Sequence, residues 1–473
     1  MSFQNFLLMR HEILLSLVAV IVLISEIFIP ETKKKTIIPL TLWLFAIVTV
    51  VGFLPTPSGE IFGGMYQASV MTTMMKNILN IALLIVLMQS AEWLKKETFD
   101  GKIAEYIILL ISTLIGMNFM ISSGDFLMFY LGLELATIPL AALAAFDKFK
   151  NHSAEAGIKL ILSSALSSGV LLYGISMIYG TNGSIYFADI AKSFGMQSLE
   201  IFGFIFFLAG MGFKISLVPF HLWTADVYEG APVNITSYLS VVSKGATVFI
   251  FNIILFTVFK SITGIWENAL YVLAVSTMTI GNLFAIRQNN MKRFLAFSSI
   301  AQAGYILLGI MGASQLGSGT VIYFVLIYVF TNLAAFGVVS TIESKTGKLE
   351  IPDYNGFYRT NPKLSLLMML ALFSLAGIPP VAGFFGKFFL FTAAANQGYY
   401  ILILIAVLNA TISLYYYLRV VKAMFIDKSD NPIAWFKSEP LTLLSLVVCA
   451  LGIFAIGFAS IIFEYIRTIS IGM

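Results

Sequence analysis

The sequence alternates long apolar runs with short polar segments along its whole length. Most runs hold about 20 residues, the length of α-helix that crosses the hydrocarbon core of a bilayer. The pattern therefore predicts an all-α polytopic membrane protein with about fourteen transmembrane helices. The predicted spans are 12–29, 36–54, 70–91, 103–121, 124–146, 156–180, 199–218, 232–259, 268–286, 293–312, 319–341, 364–395, 399–423 and 440–466.

Two of the predicted helices, the seventh and the twelfth, carry residues that break a helix. Pro219 follows the seventh run, and because proline has no N–H it would leave the carbonyl oxygen of Ile215 without its helical partner. The twelfth run is too long for one straight crossing and holds Pro379 and Pro380, so we expect two half-helices there. Non-helical backbone at membrane depth is tolerated only where it is buried in protein or lines water. Both breaks therefore indicate functional positions.

The middle of the chain repeats weakly, which predicts two related units of five helices. Short matches recur 167 or 168 residues apart, at Phe126-Leu127 and Phe294-Leu295, and at Leu208-Ala209-Gly210 and Leu375-Ala376-Gly377. Because five is odd, we expect the second unit to cross the membrane in the inverted sense, as in many transporters. In this alignment Glu134 corresponds to Gln302. The predicted domains are 1–102 with helices 1–3, 103–259 with helices 4–8, 260–426 with helices 9–13, and 427–473 with helix 14.

Composition supports the membrane class and excludes several others. With 59% hydrophobic and 11% charged residues, the chain lies far from soluble proteins, in which about a quarter of the residues are charged. The formal net charge of +4 is small, so nucleic acid is not an expected partner. Cys449 is the only cysteine, which excludes disulfides and thiolate metal sites within the chain. The sequence has no G-x-G-x-x-G and no P-loop, which argues against a nucleotide site.

The distribution of Lys and Arg over the loops predicts the orientation in the membrane. Loops after the odd-numbered helices hold eighteen basic residues, Lys292 among them, against five on the opposite side. Those five are Arg10, Lys76, Lys192, Lys260 and Arg467. Because basic loops remain in the cytoplasm, both termini are predicted to be periplasmic.

The remaining basic residues fall inside predicted helices, and they are Lys159, Lys214, Lys244, Lys387 and Arg419. A charge at the centre of the hydrocarbon costs about 3 kcal/mol or more, so such residues usually face a protein interior or water and serve ion movement. Arg419 lies near the end of its helix, and we interpret it as an anchor whose side chain reaches the interface. The lysines indicate a proton-handling site.

Glu134, about ten residues into the fifth helix, is the expected partner of Lys214. A buried carboxylate either pairs with a cation or takes up a proton, so this pair could exchange a proton. The alternative is a static ion pair that only orients two helices. Lys244 lies deeper in its helix than an anchoring side chain requires, and Lys387 follows the Gly-Pro-Pro break, where loosened backbone admits water. We expect both lysines to transfer protons.

Lys159, His221 and Asp226 are further candidates with more than one interpretation. Lys159 lies one turn after Glu155 on one helix face, which fits either proton transfer or an ordinary interfacial pair. His221 titrates near neutrality and could pass protons, or it could be a hydrogen-bonded histidine in a packed loop. Asp226 and Glu229 either cap the eighth helix or line a proton uptake path, since no third ligand indicates a metal.

The segment after the first break, PFHLWTADVYEGAPVNITSYLSVVSKGA, closely resembles the helix 7–8 signature of the subunit N family of bacterial NADH–quinone oxidoreductase, respiratory complex I. The twelfth helix, with SLAGIPPVAGFFGKFF, is similar to the same family, and the likeness extends over nearly the whole chain. Ala225 stands where the family has a proline. The resemblance implies an antiporter-like, proton-translocating transmembrane subunit of the respiratory chain, coupled to quinone reduction in other subunits.

The resemblance also implies roles for the buried charges. Glu134 and Lys214 would form the coupling pair at the cytoplasmic half-channel. Lys244 would be the central relay, and Lys387 the exit-side residue.

Lys159 and Glu155 fall at family positions, and His221 and Asp226 match positions tied to proton uptake or loop structure. NADH, FMN, iron–sulfur clusters and quinone would belong to partner subunits, with no redox chemistry, cofactor or metal in this chain. The implied partners are neighbouring antiporter-like and small membrane subunits and the lipid bilayer, in a bacterial inner (plasma) membrane.

Two other functions compete with this interpretation. One is a subunit of a sodium or potassium/proton antiporter, although a cation site favours carboxylates and carbonyls over lysines. The other is a non-transporting membrane scaffold, in which each buried charge would be replaceable by an apolar residue without loss of function.

Overall fold

The computed structural model of the chain describes residues 3–96 and 101–472. The described residues are largely helical, with one two-stranded antiparallel sheet. Its strands are β1 (Gly59–Ile61) and β2 (Tyr66–Ala68). The α-helices are α1 (Phe3–Leu8), α2 (Arg10–Phe28), α3 (Ile37–Gly52), α4 (Val70–Leu94), α5 (Ile103–Ile121), α6 (Phe126–Ala144), α7 (Asn151–Asn182), α8 (Phe187–Ser193), α9 (Ser198–Ile215), α10 (Leu222–Gly230), α11 (Val233–Tyr238), α12 (Lys244–Thr257), α13 (Thr263–Ile286), α14 (Met291–Met311), α15 (Gln315–Thr346), α16 (Phe357–Thr360), α17 (Pro362–Ala376), α18 (Ala382–Asn396), α19 (Tyr400–Phe425), α20 (Pro440–Phe458) and α21 (Ser460–Ile469).

Thirteen helical segments of the described chain are long and apolar enough to cross a membrane. The pair α17 and α18 forms a further apolar segment, divided by a break into two helices of 15 residues. The predicted all-α polytopic fold is therefore confirmed, and most observed helix ends lie within a few residues of the predicted ones. The predicted span 440–466 is too long, because α20 ends at Phe458 and α21 is a separate short helix.

The seventh predicted helix is broken, but not by its proline. α9 ends at Ile215, where Ser216 adopts a left-handed conformation with φ of 68° and the Leu217 N–H donates to the Gly212 carbonyl oxygen at 2.8 Å. This geometry closes a helix C-terminus. The expectation that Pro219 disrupts a helix reaching residue 218 is wrong, because the backbone leaves the helix before the proline. The chain becomes helical again in α10.

The twelfth predicted helix is divided as expected. α17 ends at Ala376, Gly377 takes a left-handed φ of 87°, and α18 begins at Ala382. Pro379 and Pro380 lie in the connection. A Cβ atom on Gly383 would lie 1.7 Å from the Ser374 carbonyl oxygen, so only glycine allows the two half-helices to approach this closely.

The helix that carries Lys244 is irregular. α11 passes into a π-helical turn, Leu239–Ser243, and α12 begins at Lys244. Such π-turns inside α-helices are rare and are frequent at functional sites. The apolar pattern of the predicted span 232–259 gives no sign of this turn, because a π-turn changes the backbone hydrogen bonds and not the hydropathy.

Helices α14 and α15 form the centre of the bundle. Their apolar segments are buried throughout, whereas most residues in the apolar segments of α2, α7, α13 and α19 are partly or fully exposed and so available to lipid. The β1–β2 hairpin, which the hydropathy pattern did not predict, packs on the α5–α6 connection through the Gln67 N–H, 2.7 Å from the Ser122 carbonyl oxygen. The division into two inverted units and the periplasmic placement of both termini stay predictions.

Candidate functional site

Lys214 lies in the last turn of α9, with its side chain directed at α6. Its ammonium donates to the Thr137 hydroxyl at 2.8 Å, and it forms no ion pair with Glu134 among the ion pairs of the described residues. Glu134 therefore acts on Lys214 through its charge and not through a direct ion pair, and their role as a coupling pair stays a prediction. Thr137 and Glu134 are one turn apart on the same face of α6. The Thr137 hydroxyl therefore accepts the hydrogen bond from Lys214, while the Glu134 carboxylate is near enough to attract the ammonium. One oxygen of Glu134 is buried without a hydrogen-bond partner, which leaves it open to a water or a proton.

Lys244 lies at the centre of the molecule, where it is only 4% exposed. Its ammonium donates to the Ser299 hydroxyl at 2.5 Å and to the Ser299 carbonyl oxygen at 3.3 Å, both on α14. The Ser299 hydroxyl also accepts a hydrogen bond from the Ser240 hydroxyl at 3.3 Å. The Ser240 hydroxyl in turn forms hydrogen bonds with the Tyr328 hydroxyl at 3.0 Å and with the Asn332 amide nitrogen at 2.7 Å. The ammonium therefore joins a buried network of neutral polar groups.

Lys387 lies in the first turns of α18 and is also 4% exposed. Its ammonium donates to the carbonyl oxygens of Leu375 at 2.9 Å and Ala376 at 3.0 Å. These carbonyls end α17 and have no helical partner because of the break. The ammonium also lies 4.6 Å from the centre of the Tyr305 ring. Lys387 is therefore bound directly to the end of the broken helix that precedes it.

Gln302 of α14 lies between these two lysines. Its amide donates to the Leu375 carbonyl oxygen at 3.0 Å, the same oxygen that accepts from Lys387, and to the Tyr417 hydroxyl at 3.3 Å. Gln302 lines both a cavity of about 10 Å³ beside Lys244 and a second one of about 10 Å³ beside Lys387. Each cavity has room for about one water. In the sequence, Gln302 stands out only as the repeat counterpart of Glu134.

Lys159 and Asp226 lie apart from this buried chain, in a partly exposed ion network at the end of α10. Lys159 contacts the carboxylates of Glu155 and Asp226 at 2.8 Å each. Arg293 contacts Asp226 at 2.8 Å and Glu229 at 2.7 Å. Burial raises the pKa of Asp226, but the hydrogen bonds from Lys159 and Arg293 outweigh it and hold this pKa below its usual value.

The predicted pairing of Lys159 with Glu155 is confirmed by this network. Asp226 and Glu229 do not cap the eighth helix, because Pro232 precedes Val233 at its start without a side-chain cap. The two carboxylates instead tie α10 to α7 and α14.

His221 precedes α10 at the first break and is 6% exposed. Its Nδ1 atom is buried without a hydrogen-bond partner. Nearby, the Thr224 hydroxyl donates to the Ser216 hydroxyl at 2.8 Å, and the Val218 N–H donates to Thr277 of α13 at 3.0 Å. The break that includes Pro219 is therefore a packed, hydrogen-bonded segment with one open imidazole nitrogen.

A cavity of about 660 Å³ opens at the end of the bundle that carries this ion network. Glu229, Asn234, Ser340 and Lys292 line it, and the Lys292 ammonium donates to the Ala231 carbonyl oxygen at 3.0 Å. Lys292 was counted with the loops, but it lies in α14 and is only 5% exposed. We name this cavity the polar vestibule.

Two other basic residues differ from their predicted surroundings. Lys76, counted with the loops, lies in α4 and is 2% exposed, with its ammonium 2.6 Å from the Glu12 carboxylate and 2.8 Å from the Tyr66 hydroxyl. Arg419, interpreted as an interfacial anchor, donates to the Ile286 carbonyl oxygen at 2.6 Å and to that of Gln288. It therefore caps the C-terminus of α13. Position within an apolar run alone does not reveal such partners.

The residues that sequence analysis missed are neutral partners of the lysines, chiefly Thr137 and Ser299. Hydropathy does not single them out, because Ser and Thr are common in transmembrane helices. Spacing from Glu134 could have indicated Thr137. Across the described residues, no group of three or more His, Cys, Asp and Glu side chains could hold a metal ion.

Buried lysines between broken helices at the centre of an apolar bundle define the class of ion-translocating membrane proteins of antiporter type. The family model described as NADH:quinone oxidoreductase/Mrp antiporter, TM, matches residues 123–413. The chain belongs to this family and, within it, to the NADH-quinone oxidoreductase subunit N group, as its relatives show.

The NADH-quinone oxidoreductase subunit N of Phocaeicola vulgatus is 49% identical, with 100% of both chains covered. The protein of the same name from Azobacteroides pseudotrichonymphae is 50% identical over 100% of this chain and 99% of its own. The one from Moorella thermoacetica is 38% identical, over 96% and 95%. The expected antiporter-like membrane subunit of NADH–quinone oxidoreductase is thereby confirmed, and with it the expected enzyme class, a subunit of a translocase.

Solved structures of related membrane proteins have the same fold as this chain. A chain of respiratory complex I from Thermus thermophilus has a TM-score of 0.81 at 26% identity, covering 95% of this chain and 97% of its own. A chain of the Mrp complex from Dietzia sp. has a TM-score of 0.87 at 19% identity, covering 99% and 97%, which shows a shared fold.

Proposed function

We propose that this chain moves protons across a bacterial inner membrane through Lys214, Lys244 and Lys387. The observation that carries the proposal is the connection of the last two through Gln302 and its two cavities. Lys244 and Lys387 are buried against neutral acceptors, and no carboxylate pairs with either among the described residues. Releasing a proton removes an uncompensated charge from the interior, so each ammonium can pass its proton on.

The first step involves Glu134 and Lys214. A water at the open oxygen of Glu134 would complete a path from the carboxylate through Thr137 to the ammonium. Movement or protonation of this carboxylate weakens the attraction that holds the proton on Lys214. In this proposal His221 and Asp226 lie near the side where protons are taken up. The ion pair with Lys159 holds Asp226 in position.

The energies are of the right size for this coupling. Two unit charges about 6 Å apart interact by roughly 3 kcal/mol at an effective dielectric constant of 20. Moving one charge against 100 mV costs about 2.3 kcal/mol. A change of charge at Glu134 can therefore drive a proton step against a membrane potential.

The polar vestibule fits the cytoplasmic side of this path. It is open, its lining includes the buried Lys292 and several other polar side chains, and the loops around it belong to the side that is rich in Lys and Arg. Both termini would then be periplasmic. Quinone reduction, with its NADH, FMN and iron–sulfur clusters, would take place in partner subunits, and the mobile charge at Glu134 would couple it to this chain.

A sodium or potassium/proton antiporter fits the interior less well. Hard cations favour carboxylate and carbonyl oxygens, whereas the two central cavities are lined by the ammonium groups of Lys244 and Lys387, which repel cations.

Replacement of Lys244 by methionine tests the proposal. K244M keeps the length and apolar stem of the side chain but removes the proton carrier, so we expect the number of protons moved per NADH oxidised to fall in membrane vesicles. Lys363, an exposed lysine at the start of α17, provides the matched control K363M. An assembled K244M complex with the proton yield of K363M would support a scaffold instead.

A further inference from the structure

A second large cavity lies away from Lys214, Lys244 and Lys387, and its walls are mainly apolar, unlike those of the polar vestibule. This cleft has a volume of about 650 Å³, within the roughly 300–1,000 Å³ of ligand pockets. Its lining is almost entirely apolar and comes from α4, α15, α21 and the segment after α3. We name it the apolar cleft.

The apolar cleft runs from one end of the bundle to about mid-membrane. At its mouth lie Val70, the first residue of α4, and Tyr465 of α21. Towards its inner end lie Ile81, eleven residues from the start of α4, and Leu326 and Phe330, eleven and fifteen residues from the start of α15. At 1.5 Å per residue the lining reaches about 16 to 22 Å from these helix ends, at least half of the roughly 30 Å hydrocarbon core. The starts of α4 and α15 share one end of the bundle, since Gly319 of α15 lies against Arg467 of α21.

A guanidinium stands at the mouth. Arg10 Nη2 donates to the carbonyl oxygens of Gly52 and Leu54 at 2.8 Å each and to the Thr56 hydroxyl at 2.9 Å, and these three acceptors line the apolar cleft. No carboxylate forms an ion pair with Arg10 within the described ranges 3–96 and 101–472. The mouth therefore carries a positive charge without a carboxylate partner, and because Arg10 is the first residue of the apolar helix α2, this charge lies at one end of a membrane-spanning helix.

Water does not fill such a cleft favourably, because its walls offer few hydrogen-bond partners. An apolar slot one leaflet deep, with an unpaired guanidinium at its outer end, matches a phospholipid in both length and charge. Arginine pairs well with phosphate oxygens. We propose that the apolar cleft holds one acyl chain of an anionic phospholipid from the adjacent leaflet, with the phosphate beside Arg10.

Photolabelling of the assembled complex tests this assignment. The probe is phosphatidylglycerol with a diazirine at the end of one acyl chain, in vesicles of phosphatidylglycerol and phosphatidylcholine. We expect adducts on the peptides that contain Ile81 or Leu326. T73W places an indole in the apolar cleft and should abolish these adducts, because Thr73 lines the cleft. R10Q should weaken them by removing the charge at the mouth.

Two matched controls keep the result interpretable. V272W adds an indole at an exposed position of α13, where Val272 is 67% exposed, and R467Q removes a surface guanidinium paired with Glu464. Both should label as the unaltered chain does, and proton yield and thermal transition should be unchanged in T73W. Unchanged adducts in T73W, adducts spread evenly over lipid-facing residues, or cross-links to another subunit's polypeptide would each overturn the assignment. The readout does not depend on proton movement, so this test and the K244M test fail separately.

Discussion

At the scale of single residues, each buried lysine has its own kind of acceptor. Lys214 donates to a hydroxyl, Lys244 to a hydroxyl and a carbonyl of one serine, and Lys387 to two carbonyls released by a helix break. All these acceptors are neutral. A neutral acceptor holds an ammonium without balancing its charge, which suits a proton carrier better than a permanent ion pair such as Lys76 with Glu12.

Ser299 allows this difference to be tested. S299A removes the hydroxyl that accepts from Lys244 and links it to Ser240, so we expect proton yield to fall while the complex assembles. A hydrogen bond to a charged group is worth about 1.5–3 kcal/mol, enough to disturb the population of the charged lysine. The control is S276A, because Ser276 is only partly buried and donates only to backbone carbonyls of its own helix. Equal proton yields from the two variants in vesicles would show that Ser299 is a packing residue.

At the scale of secondary structure, the two helix breaks are made by different residues. Ser216 ends α9 in a left-handed conformation, whereas Gly377 ends α17. Glycine is required at Gly383, where the half-helices overlap. The carbonyl oxygens that accept from Lys387 are free of helical partners only because α17 ends at this point.

Substitution of Gly383 tests how tightly this break is packed. The added methyl of G383A would collide with the Ser374 carbonyl and push the half-helices apart, so we expect a loss of about 1–3 kcal/mol in stability. G169A is the control, because a Cβ atom at Gly169 of α7 meets open space. Thermal unfolding of the purified chain in nanodiscs measures both. A transition in G383A as high as in G169A would contradict the observed overlap.

The sequence predicted these elements to different degrees, for physical reasons. Apolar runs locate the spans because the bilayer fixes their length, and prolines located the break between α17 and α18. Ser216 carries no comparable signal, since serine seldom adopts left-handed backbone. The hydrogen bond of Lys214 to Thr137 could not be predicted, because the rotation of α6 against α9 decides whether Glu134 or Thr137 contacts the ammonium, and spacing along one chain does not fix that rotation.

At the scale of the whole molecule, polar and apolar spaces are separated. The polar vestibule opens at one end and the apolar cleft at the other. Between them, the buried apolar segments of α14 and α15 carry Ser299, Gln302 and Tyr328 beside the lysines. Water-sized cavities occur beside Lys244 and Lys387, which is where a proton path through the bundle needs them. In the proposed function, water would enter the centre of the bundle only at these two cavities.

Gln302 is the residue on which the continuity of that route depends, so the most direct test is the proton yield of Q302L. Leucine fills a similar volume but neither donates to the Leu375 carbonyl oxygen nor holds water in the two cavities. Protons moved per NADH oxidised are measured in vesicles, with Q315L as the control, because Gln315 is exposed at the start of α15. A large fall in Q302L with normal yield in Q315L is the predicted result. A normal yield in an assembled Q302L complex would contradict a proton path from Lys244 to Lys387.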